Sequence, residues 1–64
     1  MRRRLISLRE SMGLTQEQFA KAIGMKRSAY SMIETGDRGI KFATVLKIKK
    51  FTGVSDDSIF FNYK

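Results

Sequence analysis

The segment 25–35 carries polar side chains in a pattern that could read the edges of DNA bases. Taken as a helix, with about 100° of rotation per residue, it places Ala29, Tyr30 and Ile33 on one side. A helix that enters the major groove reads bases through hydrogen-bonding side chains on its outer side. The outer side of this segment is therefore the first candidate for a functional site, and it carries Arg27, Ser28, Ser31, Met32 and Thr35.

The charge balance of the chain favours a polyanion as its partner. The 64 residues include 13 Lys or Arg and six Asp or Glu, which gives a formal net charge of +7. Such an excess attracts nucleic acid, but it also keeps a small domain soluble. The run Arg2, Arg3 and Arg4 has the same two interpretations, contact with phosphate or a solvated terminus.

The composition is poorly supplied for catalysis and for metal binding. Cys and His are absent, which removes thiol nucleophiles, imidazole bases and most zinc or haem ligand sets. The carboxylates show no spacing that suggests a metal cage or a hydrolytic pair. We therefore expect no enzyme activity, no metal and no cofactor from Glu10, Glu17, Glu34, Asp37, Asp56 and Asp57.

Length and hydropathy bound the remaining possibilities. A chain of 64 residues makes one domain at most and buries only about 60% of its unfolded surface. No apolar run approaches the roughly 20 residues needed to span a bilayer, and the first residues lack the apolar segment of a signal peptide. We expect a cytosolic protein.

Hydrophobic spacing and glycines divide the chain into predicted helices, with no convincing strand. Leu5, Leu8 and Met12 recur at intervals of three and four and predict a first helix over about 2–12. Thr15 and Gln18 have the spacing of a capping box, which starts a second helix. The third helix begins near residue 25 or 26 and runs to 35. Glycines end these helices at positions 13, 24 and 36.

Two further helices are predicted after a loop. The apolar positions Phe42, Val45, Leu46 and Ile48 mark a fourth helix over about 41–52, which is stopped by Gly53. The same spacing directs Lys49 inward, so either its stem follows the edge of the core or the helix rotates slightly. Ser55 can cap a last short helix that contains Ile59 and Phe60.

The residues that end and line these helices form a familiar pattern. Within the central segment, 14–36, they are Leu14, Thr15, Gln16, Glu17, Phe19, Ala20, Ile23, Gly24, Ile33, Glu34 and Gly36. Before this segment they are Leu5, Leu8 and Arg9, and after it they are Leu46, Lys47, Ile48, Gly53, Val54 and Ser55. Over nearly its whole length, the chain resembles the phage repressor and Cro-like helix-turn-helix family, the XRE family. The resemblance implies an all-α, compact five-helix domain of the lambda-repressor type over 1–64. Its helix-turn-helix, over about 15–35, would place helix three in the major groove.

The resemblance also assigns contacts with DNA. It implies base-edge contacts for Arg27 and Ser28. Ser31 lies one turn beyond Arg27 on the same side, and its short side chain could contact a base through its hydroxyl or a bridging water. Arg27 suits the paired acceptors of guanine, although an arginine binds phosphate as well. Met32 could touch a thymine methyl group or rest on the neighbouring loop. Contacts with the DNA backbone are implied for Gln16, Lys26, Arg38 and Lys41, with bracing of the base-reading residues as a second role for Gln16.

Two other features follow from the resemblance. A structural ion pair between Arg9 and Glu34 would tie the first helix to the third. Dimers through the last helices are common in the family, which implies a homodimer with a possible dimerisation tail over 56–64. The interface candidates are Phe60, Phe61 and Tyr63, and a monomer with its tail folded over helix one is the alternative.

The function implied is sequence-specific binding of double-stranded DNA by a small transcriptional regulator. It would be a repressor that occupies a palindromic operator, in the bacterial cytosol and associated with the nucleoid through DNA. No small-molecule ligand is suggested. The alternative is the antitoxin, or another protein-interaction module, of a toxin-antitoxin pair that retains autoregulatory DNA binding.

Overall fold

The computed structural model describes residues 1–60, which form four α-helices and a final single turn. The helices are α1 (Arg3–Ser11), α2 (Gln16–Ala22), α3 (Arg27–Thr35) and α4 (Phe42–Thr52). No strand occurs within residues 1–60. The architecture is all-α as predicted, and the predicted helices 1 to 4 lie within one or two residues of their expected bounds.

The expected fifth helix is wrong. A 3-10 turn over Asp57–Ile59 takes its place. The residue that caps it is Asp56 and not Ser55, because the Asp56 carboxylate accepts a hydrogen bond from the Ser58 amide at 2.9 Å. An aspartate that binds the backbone two residues ahead favours a tight turn over a continuing helix.

Local sequence sets the ends of the two central helices. The capping box at the start of α2 is present, since Thr15 Oγ1 accepts from the Gln18 amide at 3.1 Å and Gln18 Oε1 accepts from the Thr15 amide at 2.9 Å. At the end of α3, Gly36 adopts a φ of 90°. That left-handed conformation suits glycine and turns the chain away from the helix axis.

The core draws on all four helices and on the final turn. Two of the apolar residues that mark the fourth helix in the sequence lie outside the core, because Phe42 is 76% exposed and Leu46 is 49% exposed. Val45 and Ile48 set the inner side of α4, and Leu46 is rotated by about 100° from Val45. The buried apolar residues are Leu5, Phe19, Ala20, Ile23, Tyr30, Ile33, Val45, Ile48, Ile59 and Phe60.

Lys49 lies at the edge of this core. Its side chain is half-buried, and its Nζ forms an ion pair with the Asp57 carboxylate. Of the two interpretations of Lys49, the structure shows the first, in which the stem follows the core edge and the ammonium reaches a partner outside. This ion pair links α4 to the final turn.

The three arginines near the start of the chain differ in their burial and in their hydrogen bonds. Arg2 is half-buried and donates hydrogen bonds to backbone carbonyls of Ile33, Arg38 and Phe60. Neither interpretation from the sequence, phosphate contact or a solvated terminus, describes Arg2. Arg3 and Arg4 are both exposed, and Arg4 donates to Ser58 Oγ at 2.6 Å.

Candidate nucleic-acid interface

The second and third helices pack against each other through aromatic side chains and a tight connection. The rings of Phe19 in α2 and Tyr30 in α3 have centroids 5.0 Å apart. The connection is fixed by the Met25 amide, which donates to the Ala20 carbonyl at 2.8 Å. Because α3 is held against α2 through its inner side, its outer side is presented in a fixed orientation.

The outer side of α3 carries the predicted base-reading residues at its beginning. Arg27 and Ser28 form the first turn and are exposed, and Lys26 immediately before the helix is exposed as well. Ser31, one turn later, is half-buried, and Met32 is 43% exposed. The structure thus brings the predicted base-reading residues and one predicted phosphate contact together at one end of α3.

Two further predicted phosphate contacts lie beyond the opposite end of α3, whereas the fourth, Gln16, begins α2 beside Arg27. Arg38 and Lys41 flank the connection between α3 and α4, and both are exposed. They line one surface groove together with Met25, Ile33 and Thr44.

A chain of hydrogen bonds runs from α1 to the first exposed residue of α3. Arg9 Nε lies 2.6 Å from Glu34 Oε2, so the ion pair expected from the resemblance is present. Gln16 Nε2 donates to Glu34 Oε1 at 2.8 Å. Arg27 Nη1 in turn donates to Gln16 Oε1 at 3.2 Å. Gln16 therefore braces Arg27, which is one of the two roles expected for it.

The electrostatics of this network centre on a buried carboxylate. Glu34 is 2% exposed, and burial by itself would raise its pKa. Hydrogen bonds from Arg9 and Gln16 outweigh burial, so the pKa of Glu34 lies below its usual range. The carboxylate remains ionised, and Arg9 also binds the Leu14 carbonyl at 2.8 Å, which ties the connection between α1 and α2 to the same site.

Tyr30 borders the same carboxylate from the inner side of α3. Burial and the nearby Glu34 raise the pKa of the Tyr30 hydroxyl well above its usual range. The hydroxyl is buried, and no atom of residues 1–60 meets hydrogen-bond geometry with it. Tyr30 therefore places its hydroxyl beside the Glu34 carboxylate and contributes its ring to the packing of α3.

Sequence reasoning missed two connections of this site. Gln16 and Glu34 are joined by a hydrogen bond although they are 18 residues apart, and no local spacing signals the pair. Arg2 binds the last turn of α3. The sequence hints at this contact only indirectly. A positive charge at the start of α1 opposes the dipole of that helix, which suggests that Arg2 has a favourable partner elsewhere.

The expected dimer interface needs a correction. Phe60 is completely buried in the core of the single chain, so its ring is not available to a second chain. The reason is that the 3-10 turn directs Phe60 inward beside Ile59. The other two candidates, Phe61 and Tyr63, lie outside the described residues. Large exposed apolar side chains occur instead on α4, at Phe42 and Leu46.

Two kinds of feature are absent from residues 1–60, a metal-ligand cluster and a membrane-spanning helix. Among them, no group of three or more carboxylate, His or Cys side chains is arranged to hold a metal ion. No helix in this part of the chain has both the length and the apolar character to cross a membrane.

Comparison with known protein families identifies a helix-turn-helix family. The family model described as helix-turn-helix matches residues 5–59, which covers α1 to α4 and the final turn. No curated protein matches the chain at a significant level, and no solved structure does so either.

Proposed function

Since the chain belongs to the XRE-type family of helix-turn-helix DNA-binding transcription regulators, we propose that it binds a specific double-stranded sequence and represses transcription by occupying an operator. Repression by occupancy requires no catalytic group and no cofactor. It requires an exposed surface that distinguishes bases and a basic surround that holds phosphates.

One observation carries the sequence-specific part of the proposal: the first turn of α3 presents Arg27 in a braced position. The Arg27 guanidinium donates to Gln16 Oε1 at 3.2 Å, and Ser28 is exposed beside it. A guanidinium held in one orientation loses less entropy when it binds the O6 and N7 acceptors of guanine. We assign base reading to Arg27 and Ser28, with Ser31 as a further contact by its hydroxyl or through water.

Backbone contacts are proposed for the exposed basic residues on either side. Lys26 precedes α3, and Arg38 and Lys41 follow it. Cations at both ends of a recognition helix can contact phosphates on both sides of the major groove and so fix the register of the helix. The backbone amide of Gln16, at the start of α2, is a further donor to phosphate.

We further propose that the regulator acts as a homodimer on a palindromic operator. Exposed Phe42 and Leu46 lie one turn apart on α4, and such a pair on a small domain supports an interface. We add these two to Phe61 and Tyr63 as interface candidates. A two-fold dimer would set two α3 helices about 34 Å apart on one side of the duplex.

Selection of bound duplexes from a random DNA pool tests this function. The proposal predicts a palindromic motif whose half-sites are about one helical turn apart. Bound sequences that show no motif would contradict sequence-specific recognition. A motif that consists of a single half-site without symmetry would support base reading and contradict the proposed homodimer.

The exposed apolar pair on α4 also favours a second candidate function, the antitoxin or interaction module of a toxin-antitoxin pair. In that case Phe42 and Leu46 bind a different protein, and DNA binding serves autoregulation. A toxin gene beside the gene of this chain would favour this candidate. A purified chain that is monomeric and still binds one half-site would favour it over the homodimer.

A further inference from the structure

Arg2 donates more hydrogen bonds to distant parts of the fold than any other arginine within residues 1–60. Its backbone amide donates to the Glu34 carbonyl at 2.8 Å. Its Nη1 donates to the carbonyls of Ile33 at 2.6 Å and of Arg38 at 3.1 Å, and its Nε donates to the Phe60 carbonyl at 2.8 Å. One residue thus joins the end of α3, the connection after it and the final turn.

The charge of Arg2 is placed to benefit α3 and not α1. Arg2 precedes the first turn of α1, where positive charge opposes the helix dipole. The carbonyls of Ile33 and Glu34 belong to the last turn of α3, which has no basic residue of its own. A cation at a helix C-terminus is favourable. Its donors supplement the weak 3.3 Å hydrogen bond that the Ile33 carbonyl accepts from the Gly36 amide.

The same contacts hold the backbone of Arg38, a proposed phosphate contact. The Arg38 carbonyl accepts from Arg2 Nη1 at 3.1 Å, and the Arg38 amide donates to the Met32 carbonyl at 3.2 Å. The exposed Arg38 side chain therefore starts from a backbone that is fixed on both sides. Without the Arg2 side chain, the Arg38 backbone would keep its amide contact with Met32 and lose the contact at its carbonyl.

We propose that Arg2 is a positioning residue for DNA binding, which fixes the end of α3 and the backbone of Arg38 so that the Arg38 guanidinium meets a phosphate. The proposal rests on the proposed DNA-binding function. The planar guanidinium is essential to this role, because it reaches three carbonyls from two nitrogens, and a lysine ammonium cannot reproduce that fork.

The test compares Arg2→Lys with Arg3→Lys, since both substitutions preserve the net charge and Arg3 is the exposed neighbour. Binding to a 30-base-pair duplex of random sequence is measured over a series of salt concentrations. A plot of log K against log salt has a negative slope. Arg2→Lys should make this slope shallower by about 0.9, the value for one phosphate contact. Arg3→Lys should leave the slope unchanged. In an Arg38→Ala background, Arg2→Lys should produce no further decrease.

An unchanged slope for Arg2→Lys would overturn the proposal, as would a decrease that adds fully to that of Arg38→Ala. A second measurement needs no DNA and so separates this proposal from the proposed function. Amide hydrogen exchange in Arg2→Lys should be faster at Arg38 than in the unsubstituted chain, while the amides of α2 retain their protection. Equal loss of protection at Arg38 and throughout α2 would show that Arg2 serves global stability alone, and would overturn the positioning role.

Discussion

Gln16 donates its side-chain amide to the buried Glu34 carboxylate, with Nε2 and Oε1 2.8 Å apart. Because an ionised carboxylate is an acceptor only, the NH₂ group of Gln16 must face Glu34. The amide oxygen of Gln16 then points away from the core, where it accepts from Arg27. The buried charge of Glu34 thereby sets the orientation of the Gln16 amide, and Gln16 in turn holds the exposed guanidinium of Arg27 on the proposed DNA-reading side.

This relationship predicts that Gln16 and Arg27 act as a unit. Gln16→Ala should weaken binding to a selected operator and reduce discrimination at the base pair that Arg27 contacts. In an Arg27→Ala background, the same substitution should have little additional effect on discrimination. The measurement is a double-mutant cycle with operator variants at that base pair. Full additivity of the two effects would mean that Gln16 contacts DNA independently of Arg27.

The buried ion pair should matter far more for stability than the exposed one. Arg9→Ala leaves the Glu34 carboxylate buried without its main partner, which should lower the free energy of unfolding by about 3 kcal/mol. Lys49→Ala is the matched control, because its partner Asp57 is 64% exposed, and it should cost less than about 1 kcal/mol. Urea unfolding followed by circular dichroism measures both. Comparable losses in the two variants would refute the importance of burial here.

Stability should fall in acid in a manner that depends on Glu34. The pKa of Glu34 is lowered in the folded chain, whereas an unfolded glutamate has a pKa of about 4.3. Its ionised form therefore stabilises the fold fully above about pH 5, and this contribution is lost as pH falls through the folded pKa. Thermal melting of the unsubstituted chain and Glu34→Gln should show a difference at pH 7 that shrinks towards pH 3. A difference that is constant over this range would contradict the assignment.

The exposed side of α4 should control association. Phe42→Ser and Leu46→Ser should shift the chain towards monomer and leave the fold intact, since both side chains are exposed. Met12→Ser is the matched control, because it removes an exposed apolar side chain just beyond α1. Sedimentation equilibrium measures the three variants. If none of them changes the association state, the proposed α4 interface is wrong.

Sequence patterns predicted the four helices because their signals are local. The capping box of Thr15 and Gln18 and the glycine at position 36 each act within a few residues of a helix end. The patterns failed at Phe42, whose apolar character suggested burial, because apolar residues also occur on protein surfaces. They failed at the last turn as well, where Ser55 and Asp56 are both good caps and sequence alone did not choose between them.

The sequence predicted which residues of the candidate site are exposed, and the resemblance predicted the Arg9–Glu34 ion pair, but neither predicted the contacts of Gln16 with Glu34 or of Arg2 with α3. Exposed Arg27 and Ser28 follow from the two sides of α3, which periodicity defines. The contacts of Arg2 with Ile33 and Phe60 join residues far apart in the chain. Such contacts depend on how the helices pack, and no spacing within one helix encodes them.

The central claim is that the first turn of α3 reads sequence while Arg38 contacts the phosphate backbone. The most direct test measures the affinity of Arg27→Ala and Arg38→Ala for a selected operator and for a random duplex at several salt concentrations. Arg27→Ala should lower affinity for the operator far more than for the random duplex and alter base preference at one position. Arg38→Ala should weaken binding to both duplexes alike. It should also make the negative slope of log K against log salt shallower by about one. Equal losses on the two duplexes for Arg27→Ala would contradict the account.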